Sequence, residues 1–106
     1  KGAEIICHPS NLVLPNCPDS MPVRCLENRV FAITCNRTGS EARGGKDQLT
    51  FIGSSEVVAP NGAILHRASR DQEELYIVEI DPADARNKAL TRYNDLLRDR
   101  RESLYR

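Results

Sequence analysis

No apolar run in this 106-residue chain approaches the roughly 20 residues that a membrane-spanning helix needs, which excludes a helical transmembrane reading. Net charge is missing too. Fifteen basic residues balance fifteen acidic ones, which disfavours a general nucleic-acid-binding surface. No signal-peptide pattern opens the chain, which begins Lys1-Gly2-Ala3-Glu4 and turns apolar for only a few residues. It also lacks an initiating Met, as a processed chain or a piece cut from a longer one would. None of the four cysteines (Cys7, Cys17, Cys25 and Cys35) belongs to a Cys-x-x-Cys pair, so no zinc site or other metal site is expected. The even count would suit a disulfide framework, but no secretory signal accompanies it. Cys7, Cys25 and Cys35 sit among apolar neighbours and read as reduced, buried, structural thiols of a cytoplasmic protein. Internal repeats and low-complexity stretches are absent as well.

What is present suits one domain or part of one. Apolar residues make up 40% of the chain, enough for a modest core. The charge is unevenly spread. Residues 86–106 hold seven basic groups against three acidic ones, while the first 85 residues hold eight against twelve. This reads as a solvated tail, or one docked on the acidic remainder of the same protein or its oligomer. The alternative is an RNA- or membrane-binding tail, but the tail has no apolar stripe suited to a bilayer.

Residues 3–8 are mostly apolar and predict a short strand that ends at Pro9 and is covered on both faces. Residues 9–18, with three prolines and two asparagines, predict a loop of unusually apolar character. Asp19 or Ser20 can cap a helix over about 20–29, with Pro22 tolerable in its first turn. Met21, Cys25 and Asn28 then share one face, and Val23, Leu26 and Val30 the next. Residues 30–35 are β-branched and aromatic and predict a second strand. A polar, Gly-rich loop follows over 36–50. Asn61-Gly62 between apolar runs at 54–59 and 63–68 is a hairpin signal, because both residues tolerate positive φ. Residues 73–80 predict another strand. Asp81-Pro82-Ala83-Asp84 is a helix start, and that helix should run to about residue 90. The fold class expected is α/β, with a mixed sheet of α+β type: one parallel pair joined by a helical crossover, one antiparallel hairpin, and helices on one face.

No complete catalytic set emerges from the residues. Cys7 and His8 are adjacent but point to opposite faces of a strand. His66 reads as a surface residue of a hairpin strand. Ser54-Ser55 lacks the Gly-x-Ser-x-Gly elbow, and Gly44-Gly45 is followed by no phosphate-loop signature. Glu27 with Arg24 or Arg29 reads as a helix-surface or interface ion pair.

Five segments nevertheless resemble the nitrilase, or carbon–nitrogen hydrolase, superfamily. Residues 2–12, Gly-Ala-Glu-Ile-Ile-Cys-His-Pro-Ser-Asn-Leu, look like its Gly-Ala-acid-apolar-His/Asn-Pro-x-Asn strand and loop. Arg24-Cys25-Leu26-Glu27-Asn28-Arg29-Val30-Phe31 is similar to its Arg-Ala-x-Glu-Asn-x-x-Phe segment. Asn36-Arg37-Thr38-Gly39, Phe51-Ile52-Gly53-Ser54-Ser55 and Ala59-Pro60-Asn61-Gly62 match further elements in the right order. Tyr93-Asn94-Asp95-Leu96 with Asp99-Arg100-Arg101 resembles the tail of thermophilic archaeal members.

The resemblance implies the C-terminal part of an α-β-β-α sandwich, over residues 1–92, and a tail over 93–106. It implies hydrolysis of a nitrile or amide by a Cys nucleophile, a Glu base and an oxyanion-stabilising Lys. In the family all three precede the Gly-Ala strand, so no catalytic residue is assigned to this chain and no cofactor is expected. The loop after the first strand would border the substrate pocket, with Asn11 and Leu12 lining it and His8 close behind. Dimers and larger homo-oligomers would form through Met21, Arg24, Cys25, Glu27 and Asn28 of the helix and through Tyr93, Leu97 and Tyr105 of the tail. The partners implied are therefore the rest of the same domain, further copies, and a small nitrile or amide, with neither nucleic acid nor membrane. The second reading is a non-catalytic assembly or regulatory piece. Twelve Arg against three Lys, with a Pro-rich loop, suggest a thermophilic source.

Overall fold

The computed structural model describes residues 2–105. In chain order it contains strand β1 (Ile5–Ser10), helix α1 (Asn16–Asn28), β2 (Phe31–Asn36), β3 (Ser40–Glu41), β4 (Leu49–Thr50), β5 (Glu56–Val58) and β6 (Ile64–Arg67). The crossover through α1 makes β1 and β2 parallel, and the remaining pairings are antiparallel. The main sheet has the order β1-β2-β5-β6 and is mixed, as the element order predicts.

Helix α1 begins earlier than its sequence suggests. Pro15, not Asp19 or Ser20, holds the N-cap position, with φ −75° and no side-chain cap. Pro15 is already near helical φ, and Pro18 falls in the first turn, where a backbone N–H has no helical acceptor anyway. The early start moves Pro22 out of the first turn and into the helix interior. There its missing N–H leaves the Pro18 carbonyl without its helical donor. Arg67 of β6 reaches across and donates from Nη2 to that carbonyl at 2.6 Å.

The other end of α1 closes on Arg29, which takes the left-handed conformation at φ 52°. The N–H groups of Arg29 and Val30 both turn back to the Cys25 carbonyl. The last turn holds no cation of its own. Lys88 supplies one from sixty residues away, donating from Nζ to the carbonyls of Asn28 at 3.0 Å and Arg29 at 2.7 Å.

The core lies between α1 and the sheet. Cys25, Ala32 and Val58 are fully buried together, with Met21 packed against them. Val30, Phe31, Phe51 and Ala85 are buried as well. The opposite sheet face is largely open, Phe31 apart, and this corrects the expectation for two cysteines. Cys7 and Cys35 lie on that face and are exposed, Cys17 is half-buried, and only Cys25 is a core thiol. All four are free.

The Pro60-Asn61-Gly62 turn joins β5 to β6 as predicted, with Gly62 at φ +81° and a bulge between Val57 and Val58. A side chain at Gly62 would also press on the Pro22 carbonyl, 3.1 Å from an ideal Cβ. The predicted loop 36–50 contains a small hairpin, β3 paired with β4. The predicted strand 73–80 does not form. Its Leu75 and Ile77 are 92% and 86% exposed, so this apolar segment finds no cross-strand partner among the described residues. The helix expected from Asp81 to about residue 90 is a five-residue 3-10 turn, Pro82–Arg86. Its start is as predicted: the Asp81 carboxylate accepts from the Ala83 N–H at 2.9 Å, and Pro82 follows. The radius of gyration, 16.9 Å, exceeds the roughly 13 Å of a compact chain of this length.

Candidate functional site at the C-terminal end of the parallel pair

The sheet registers place four polar side chains in one row beneath α1. His8 on β1 lies opposite Thr34 on β2, Thr34 opposite Glu56 on β5, and Glu56 opposite Arg67 on β6. His8 Nδ1 lies 3.2 Å from the Thr34 hydroxyl oxygen. The Glu56 carboxylate is only 2% exposed, and Arg67 Nε donates to its Oε2 at 2.9 Å. Burial pushes the Glu56 carboxyl above the usual carboxylate range, and Arg67 opposes that shift. Thus an element that sequence alone reads as apolar carries charge across its buried face.

Beyond His8 the chain leaves the sheet at Asn11 and Leu12. Asn36, the last residue of β2, clamps that exit. Its Oδ1 accepts from the Leu12 N–H at 2.7 Å, and its Nδ2 donates to the carbonyls of Gly53 at 2.8 Å and Leu12 at 3.4 Å. The Leu12 carbonyl also accepts from the Ile52 N–H at 3.0 Å. Ser55 completes the junction, its hydroxyl oxygen accepting from the Asn36 N–H at 2.9 Å. Asn11 is exposed and Leu12 half-buried, so the structure presents Asn11 outward while pinning its neighbour. Of the three pocket residues expected from sequence, His8 and Leu12 are both tied to β2, through Thr34 and Asn36, and Asn11 is exposed. Asn36 was not among them. Its signal was visible as the first residue of Asn36-Arg37-Thr38-Gly39, but its role depends on a loop 24 residues away.

No thiol on α1 is activated. Burial drives the Cys25 thiol up to about 11, and the nearby Glu56 charge adds to this. Cys17 shifts upward for the same reasons. On the open sheet face, a cavity of about 210 Å³ brings Cys35, His66 and Glu74 to one wall. His66 is not the surface residue expected there. It is half-buried and stacks on Tyr76, ring centroids 3.7 Å apart and nearly parallel, with Glu74 Oε2 at 3.6 Å from Nε2. Among the described residues no group of three His, Cys, Asp or Glu side chains is placed to hold a metal ion.

The expected interface residues divide. The face with Met21 and Cys25 turns inward: Cys25 is buried, and Met21 packs on the core. Cys25 is therefore out of a partner's reach in this structure, while Met21 is half-buried. Arg24, Glu27 and Asn28 are exposed, and Arg24 pairs with Glu27 at 2.6 Å. Val23 and Leu26, on the neighbouring face, are the exposed apolar residues of the helix. Tyr93, Leu97 and Tyr105 of the tail are also exposed.

Comparisons with known proteins place this geometry. The carbon–nitrogen hydrolase family model matches residues 1–89. A nitrilase of Pyrococcus abyssi is 46% identical over 105 residues, which cover 99% of this chain and 38% of that protein. An (R)-stereoselective amidase of a Pseudomonas species is 37% identical over 94% of this chain and 35% of its own length. The crystal structure of a carbon–nitrogen hydrolase from Helicobacter pylori G27 superposes with a TM-score of 0.76 at 30% identity, over 98% of this chain and 40% of that one. The chain therefore spans well under half the length of these relatives and is a partial domain. The strand, clamped loop, helix and hairpin from residue 2 to the Pro82 turn are those of a family member, and the chain belongs to the carbon–nitrogen hydrolase family.

Proposed function

We propose that the protein carrying this chain hydrolyses a non-peptide carbon–nitrogen bond in a small nitrile or amide. A Cys thiolate attacks; the covalent adduct of a nitrile takes up one water, that of an amide none, before ammonia leaves, and a further water then releases the carboxylic acid and restores the thiol. The Cys, Glu and Lys of that chemistry belong to the part of the domain outside this chain. Residues 2–105 supply a wall of the pocket and a surface for assembly. The observation that carries this reading is the family match over residues 1–89, which includes the loop held by Asn36. Asn11, exposed at the strand exit, is the chain's contact with substrate, and His8 and Leu12 shape the ground behind it. The test is ammonia release by the full-length protein from a panel of aliphatic nitriles and amides. Turnover of either class, lowered several-fold by Asn11→Ala, supports the reading. No turnover of any member overturns it.

The same protein assembles through Arg24, Glu27 and Asn28 with the exposed Val23 and Leu26, and through Tyr93, Leu97 and Tyr105 of the basic tail. Charge supports this, since the tail is cationic and the remainder acidic. A cytoplasmic location and a thermophilic source belong to the same proposal. The second reading, a piece that assembles or regulates without activity of its own, rests on the raised thiols of α1 and on the exposed helix face. It predicts an oligomer and no turnover.

A further inference from the structure

A proline inside a helix deletes one backbone bond and pushes the carbonyl four residues back off the helix axis. In α1 the proline is Pro22 and the carbonyl is Pro18. That carbonyl does not go without a donor, since Arg67 Nη2 reaches it at 2.6 Å. The arrangement carries a cost that shows in the geometry. A guanidinium facing a carboxylate does best as a fork, with two nitrogens on two oxygens. Here both Nε and Nη2 lie 2.9 Å from the single oxygen Oε2 of Glu56, and the buried Oε1 has no partner among the described residues. Arg67 is thus aimed as much at the helix as at its counter-ion. The groups facing Glu56 are Cys17, Asp19 and Cys25 on α1, Thr34 on β2 and Arg67 on β6. Arg67 is the cation among them.

We propose that Glu56 and Arg67 form a latch in which Arg67 replaces the helical donor that Pro22 removes, so that the first half of α1, where Pro18 and Met21 pack inward, depends on this contact as well and opens locally when it is lost. Glu56 is the anchor that keeps the guanidinium under the helix. The latch sits where α1 meets the loop of Asn11 and Leu12, so its release frees the end of that loop. The proposal does not depend on the hydrolytic reading above.

The chain carries its own probes, because Cys17 and Cys25 flank the latch on α1 and are free. Thiol labelling of the full-length protein, resolved by peptide mass spectrometry under native conditions, reads their exposure. Arg67→Lys keeps a charge for Glu56 but gives up the geometry that serves two acceptors. It should speed labelling at Cys17 by about tenfold, the scale of one charged hydrogen bond, while Cys25, in the second half of α1, reports opening of the whole helix. Pro22→Ala returns the N–H to the helix. In that background Arg67→Lys should change the labelling rates little. Equal acceleration with and without Pro22→Ala would overturn the proposal, and so would labelling of Arg67→Lys at the wild-type rate. Global stability measured alongside separates the two kinds of opening. Labelling that rises only in step with global unfolding also counts against the latch. Should Arg67→Lys fail to fold, the apolar pair Glu56→Leu with Arg67→Met replaces it under the same criterion.

Discussion

Asn36 shows how much one side chain can organise. Its amide makes three hydrogen bonds to the backbones of Leu12 and Gly53, and a half-buried amide with both ends satisfied is costly to remove. Asn36→Ala should destabilise the full-length protein by about 2 kcal/mol, and denaturant titration measures this. The same variant should lower turnover, since the loop behind Asn11 loses its clamp. Glu56 makes a different prediction, about pH. Its carboxyl is raised above the ordinary carboxylate value, mainly by burial. The folded state therefore binds this proton more tightly than the unfolded chain. The resulting contribution to stability is complete below the ordinary carboxylate value and is lost as pH rises through the raised one. Glu56→Gln should flatten the stability profile in that interval, read as unfolding midpoints across mildly acidic pH. A profile unchanged by the substitution would place the titrating group elsewhere. These residue roles were only partly legible in sequence. Asn36 and Ser55 lie inside recognisable motifs, but their meeting is set by the pairing of β2 with β5, and the row from His8 to Arg67 exists only once four strands are in register.

At the scale of elements, α1 is where local signals and tertiary structure disagree most. Asp19 and Ser20 are good caps, yet the helix passes through them because proline is harmless in a first turn and the sheet rewards a longer contact. Its C-terminal end depends on Lys88, a residue no local rule would assign to it. Lys88→Ala should fray the last turn and speed amide hydrogen exchange around Glu27 and Asn28, with a loss of about 1 kcal/mol. The exposed stripe of α1 makes a test of assembly. Leu26→Asp should weaken a helix-mediated dimer, and deletion of residues 93–106 should weaken one built on the tail. Light scattering on each variant separates the two, and an unchanged mass in both removes these surfaces from the interface. The predicted strand 73–80 had the right composition but no neighbour to pair with among the described residues, and a strand is defined by its partner. The Asp81-Pro82 start needed no partner and formed as read, but the helix after it stopped at Arg86 because little of it is buried: only Ala85 lies in the core.

For the molecule as a whole, the open sheet face and the exposed Leu75 and Ile77 agree with a chain that spans 38% of one relative's length and 40% of another's. Apolar area of this kind stabilises a domain only when something covers it. Thermal stability is a property at this scale too. If the arginine-rich composition reflects growth at high temperature, the full-length protein should melt above the range of about 45–65 °C usual for mesophile domains, as read by calorimetry. A midpoint inside that range would remove the thermophilic reading. Sequence by itself determined the family, the parallel crossover, the Asn-Gly hairpin and the capped turn at Asp81. Each of these rests on neighbours in the chain or on an ordered set of motifs. Tertiary structure decided which face of α1 is buried, where the four thiols lie, and that Arg67 completes a helix it does not belong to. Those outcomes join residues up to sixty positions apart, and a backbone or side-chain partner at that distance is chosen by packing and register, which no local pattern encodes.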